Sequence, residues 1–113
     1  MPFDPEGFAK ILRSASHICS DLGMRVQEEL STTDELGLID WLERNVRQLK
    51  RQAENSEVSG LKEFIERLHE PTANLAVYFR SSTRNTDIRK ILDAVKEFND
   101  INRLVRSCLG TKS

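Results

Sequence analysis

The stretch IRKILDAVKEFNDINRLVRSCLG, residues 88–110, decides how this chain folds. Its apolar side chains Ile88, Ile91, Val95, Phe98, Val105 and Leu109 recur at three- and four-residue steps, the repeat of one helix face. Asn102 stands in the same stripe, and Gly110 sits where a helix C-cap is expected. Thr86 or Asn85 can cap the start, with Asp87 in the first turn favouring the positive end of the helix dipole. The alternation of a β-strand is absent here, and it is absent upstream too.

Upstream, residues 80–86 are polar and rich in Ser, Thr and Asn, which reads as a linker. Before it lies a stripe of Val58, Leu61, Ile65 and Leu68 that continues in phase through Thr72, Leu75 and Phe79. Pro71 interrupts it: without an N–H, and crowding the carbonyl of Arg67, it predicts a third helix kinked there. The second helix opens at Ser31–Thr33 and carries Ile39, Leu42, Val46, Leu49 and Ala53. The first carries Phe8, Ile11, Leu12, Ala15, Ile18, Cys19, Leu22, Val26 and Leu30, with Asp4 as N-cap and Pro5 at the first helical position. Four helices of similar length joined by short turns predict an all-α, antiparallel up-down four-helix bundle, one domain spanning residues 1–113. The echo between residues 37–44 and 60–67 occurs only twice, too few copies for a solenoid.

Composition narrows the classes. Hydrophobic residues make up 38% of the 113, enough for a core without staples. Seventeen Lys and Arg against eighteen Asp and Glu leave a net charge of −1, which supplies no long-range pull on nucleic acid or anionic membrane. Cys19 and Cys108 lie far apart in the chain and read as reduced thiols. The acidic, proline-containing start does not match a signal peptide, and no apolar run approaches the ~20 residues that span a bilayer. These features predict a soluble intracellular protein, cytoplasmic in location.

A search for chemistry returns little. Glu66 and His69 have the Glu-x-x-His spacing of di-iron bundles, but that architecture needs a second such pair and two more inward Glu residues. His17 and Cys19 are two apart and face different ways on a helix. No phosphate loop, nucleophile elbow or zinc spacing is present. The expectation is therefore a non-enzymatic protein with no catalytic residue, no metal and no cofactor.

Three features point to partners. Ile101, Leu104 and Cys108 fall to one side of the residue 88–110 stripe and form an apolar extension. Trp41, beside Leu38, lies on the shoulder of the second helix, and Trp is enriched at interfaces. These five residues predict a surface that docks a protein partner or a second copy. The basic residues of the second helix read as a solvated face, with Asp40 paired to Arg44 and Glu43 to Arg47. Arg80, Arg84, Arg89 and Lys90, adjoining Tyr78, are less neutralised, and they suggest an alternative in which phosphate and base contacts bind RNA or DNA.

Residues Thr86-Asp87-Ile88-Arg89-Lys90-Ile91-Leu92 resemble a helix start in small helical subunits of type III CRISPR effector complexes. The match covers seven residues and lies nearer the C-terminus than in that family. The four-helix layout is similar to membrane-permeabilising bundles that precede signalling or cell-death modules, which implies a second alternative. No helix, however, opposes a strongly cationic face to an aromatic one, so a membrane is not the expected partner.

Overall fold

The computed structural model describes residues 3–28, 34–81 and 88–109. Within them the chain forms α1 (Pro5–Gln27), α2 (Glu35–Glu54), α3 (Leu61–Glu66), α4 (His69–Arg80) and α5 (Ile88–Cys108). No strand occurs among the described residues. The helices make a four-helix bundle in which α3 and α4 together occupy one position. Around it, α1 packs on α2 and α5, while α3 and α4 pack on α2 and α5.

Local sequence sets the boundaries. Asp4 has the extended backbone of an N-cap and its carbonyl accepts the Phe8 N–H at 3.0 Å. Its carboxylate makes no cap hydrogen bond and instead lies over Gly7, where a Cβ would come within 2.5 Å of Oδ2. After α2 the chain turns through Ser56, whose hydroxyl accepts the Val58 N–H, and Gly60, whose left-handed φ of 80° favours glycine.

The single third helix expected from the sequence is two helices. Pro71 cannot donate to the Arg67 carbonyl, and the ladder tightens just upstream. Arg67 N–H bonds Phe64 at 3.2 Å and Leu68 N–H bonds Ile65 at 3.0 Å, each a three-residue step. Both residues keep right-handed helical backbone, so the stripe passes through in phase. The Thr72 hydroxyl donates to the Leu68 carbonyl at 2.7 Å and closes the first turn of α4.

Every helix contributes to one core. Phe8, Leu12 and Leu22 of α1, Leu42 and Leu49 of α2, Leu75 of α4 and Phe98 of α5 are completely buried. Side chains tie several helices to one another. Between α1 and α5, Ser16 Oγ donates to Asn99 Oδ1 at 2.9 Å, and Asn99 Nδ2 donates to Ser20 Oγ at 3.1 Å. Asn102 Nδ2 donates to the Leu12 carbonyl at 2.7 Å, and Gly23 lets Val95 approach closely. Rising numbers in α1 meet falling numbers in α5, so the two run in opposite directions. Between α2 and α4, Arg80 binds Asp40 at 2.7 Å and also both oxygens of Glu43. No helix among the described residues is long and apolar enough to cross a membrane.

Asn102 is fully buried and its Oδ1 has no partner, which costs about 1–3 kcal/mol. Asn102→Leu removes that cost, and the Leu12 carbonyl keeps its helical bond. The urea midpoint should rise by the equivalent of ~1 kcal/mol, whereas Asn102→Asp should lower stability by several kcal/mol through an unpaired buried charge. Burial also pushes the Cys19 thiol up from 9.0 to about 12. Native thiol labelling at pH 8 should modify the exposed Cys108 alone, and Cys19 should react only on unfolding. Because the unfolded thiol ionises first, stability should decline as pH climbs above 9.0.

Candidate functional site

Among the described residues the α1–α2 seam carries its side-chain tie at one end, through Arg25 and Asp34. On α1, Ile11, Ile18 and Arg25 recur every seven residues along the flank that faces α2. On α2, the three- and four-residue spacing of Leu38, Trp41, Asn45, Gln48 and Gln52 puts them on one flank, and Gln48 and Gln52 line a groove with Ile11 of α1. Arg25 closes one end: its guanidinium binds Asp34 at 2.6 Å and Asp21 at 3.2 Å, and these bonds hold it charged well above its ordinary range. The other end opens into a groove of about 530 Å³ lined by Phe3, Asp4, Gly7 and Ile11 from the α1 side and by Gln48, Arg51, Gln52 and Asn55 from α2.

Between these ends runs an apolar strip. Phe3, Ile11, Ile18, Leu38 and Trp41 are half-buried and pack against the core. Phe3 meets Phe8 edge-on at 5.1 Å, and Asn45 Nδ2 donates to the Trp41 carbonyl at 2.8 Å. The strip is therefore held from beneath while one side of each residue faces solvent. Three of its five members (Phe3, Ile11 and Ile18) were not among the candidates read from sequence. Ile11 and Ile18 read there as core, although their seven-residue spacing on one flank was already visible.

The structure separates the expected docking residues. Leu38 and Trp41 lie on this strip. Ile101 does not serve as an exposed anchor: it is 2% exposed and belongs to the core. A helix with two neighbours buries a wider arc than one stripe, and Ile101 falls within it. Leu104 is 50% exposed and Cys108 is exposed, on α5 rather than on the α1–α2 face.

The basic cluster separates as well. Tyr78 is buried, edge-on to Phe79 at 5.1 Å, so its ring is closed to a nucleic-acid base in the folded chain. Arg80 is held by Asp40 and Glu43, and Arg44 Nε turns to the Asp40 carbonyl. The local pairs expected along α2 are thus replaced by a bridge to α4. Arg84 lies outside the described residues, and Arg89 and Lys90 are exposed at the start of α5. Glu66 and His69 are exposed on either side of the α3–α4 turn. Among the described residues, no three His, Cys, Asp or Glu side chains group as a metal site.

Comparison with protein-family models, with curated proteins and with solved structures finds no match for this chain.

Proposed function

We propose that this protein acts by association rather than by chemistry: it is a non-enzymatic module that docks a protein on its α1–α2 face. The observation that carries this reading is the strip Phe3, Ile11, Ile18, Leu38 and Trp41, with a groove at its end that offers an arginine and three side-chain amides. An aromatic anchor set in packed apolar surroundings and edged by polar groups is the composition of a binding hot spot. The face is already ordered, so docking costs little conformational entropy. The reading includes an intracellular site of action, supported by Cys19 and Cys108 standing as free thiols on different helices.

A tagged chain should retain a protein from extracts of its own cells, and Trp41→Ala should weaken that retention by about 30-fold, the size of a hot-spot loss near 2 kcal/mol. Leu104→Asp should leave it unchanged, because Leu104 lies on another face. Circular dichroism should show equal helicity in all three proteins. Retention that ignores Trp41 and follows Leu104 would move the docking surface to α5 and refute this assignment.

A further inference from the structure

We infer that the exposed crest of α2 is a second binding surface, which holds a single strand of nucleic acid by its phosphates; it goes beyond the docking reading and does not depend on it. At about 100° per residue, Arg44, Arg47 and Arg51 fall within an arc of about 60° opposite the buried Leu42, Val46, Leu49 and Ala53. All three are exposed, and they span about 10 Å along the helix. No carboxylate of the described residues forms an ion pair with any of them.

Arg80 is what leaves them so. Asp40 and Glu43, the acids placed to neutralise Arg44 and Arg47, both bind Arg80 of α4. Two carboxylates on one guanidinium keep one negative charge, and the three arginines outweigh it by two. Lys50 and Glu54, four residues apart at the edge of the crest, offset each other and add nothing. The hollow beside Arg47 is lined from α4 by His69, Thr72 and Ala73, none of them an acid. The chain's net charge of −1 does not oppose binding at close range, because physiological salt screens exposed charges beyond ~8 Å.

The neighbours of the row select the ligand. Gln48 and Asn55 stand three residues before and four after Arg51, each with a donor and an acceptor of the kind that meets base edges. Beyond Arg51, the groove of about 530 Å³ offers the half-buried Phe3 ring and Ile11, an apolar surface for the flat face of a base. Asp4 on its wall can accept from a base amino group. An acidic peptide would use the arginines but leave the ring idle. An anionic membrane would need apolar side chains exposed beside the arginines, where this crest has amides.

Fluorescence anisotropy of a labelled oligothymidylate of about 12 residues, titrated with the full chain, tests this. The Kd should lie at roughly 1–100 µM and rise about 20-fold between ~50 and ~200 mM salt, the dependence of three phosphate contacts. Arg44→Gln, Arg47→Gln and Arg51→Gln should each weaken binding about 3- to 10-fold and flatten the salt slope by about 0.7, with helicity kept. Phe3→Leu should weaken it about fivefold through lost stacking, and Glu43→Gln should tighten it. Lys96→Gln, on α5, should change nothing. Anisotropy that stays flat up to ~300 µM chain, or that responds to Lys96→Gln as much as to Arg47→Gln, overturns the proposal. Polyglutamate or phosphatidylserine vesicles held by the same arginines as tightly as the oligonucleotide, with Phe3→Leu silent, overturn the nucleic-acid assignment. Trp41→Ala should leave oligonucleotide binding intact and Arg47→Gln should leave protein retention intact, so the two surfaces fail separately.

Discussion

One buried hydrogen bond joins the first helix to the last: Asn102 in α5 donates to the carbonyl of Leu12 in α1, 90 residues earlier. Apolar stripes alone tolerate sliding, because one Leu or Ile replaces another at the next turn. An amide does not. Shifted out of line with that carbonyl, Asn102 would leave its donor as well as its acceptor unpaired in the core, which is far dearer than the single orphan it now carries. The bond therefore fixes the level of α5 on α1, as a buried Asn fixes register in coiled coils. Ser16, Asn99 and Ser20 add a second rung nearby, and Gly23 gives Val95 room to approach. Beyond that seam, α2 is joined to α1 through Arg25 and Asp34 and to α4 through Arg80.

Much of this architecture was legible in the chain. Four stripes at helical spacing, Asp4-Pro5 at a helix start and the tension at Pro71 are local signals, and local physics answers them directly. Ile101 was misplaced because a wheel drawn around one helix shows a single stripe, whereas a helix between two neighbours buries both flanks of it. Ile11 and Ile18 were misjudged in the opposite sense. They lie on the inward half of α1, but α2 covers them only in part. How far a neighbour covers a flank is a tertiary quantity, and no periodicity within one helix encodes it.

The charges teach the same lesson. Asp40 and Glu43 stand four residues before Arg44 and Arg47, the favourable order for local pairs. Arg80 takes both carboxylates instead, since one planar guanidinium arriving from α4 can serve two acceptors at once. The bridge is solvent-exposed and adds little stability by itself. Its larger effect is on the surface field. It removes Arg80 from the basic group around the last linker and occupies the acids that would otherwise offset α2, so positive charge concentrates toward the far end of α2. With Tyr78 buried as well, little is left of the phosphate-and-base arrangement that the linker sequence suggested.

What distinguishes the α1–α2 face from other apolar side chains on the surface is restraint rather than exposure. Val77 is 68% exposed and Leu104 is 50% exposed, more than any member of the strip, yet scattered exposed residues of this kind are ordinary on globular proteins. A freely exposed leucine must give up rotamer freedom when a partner covers it. Trp41, Leu38, Ile18, Ile11 and Phe3 have already given up most of theirs, because each packs against the core on one side. Folding has met the ordering cost of that surface in advance, and what remains for a partner is mainly the favourable removal of water. A half-buried strip therefore loses less side-chain freedom on being covered than freely exposed residues do, and the α1–α2 face of the described residues carries such a strip.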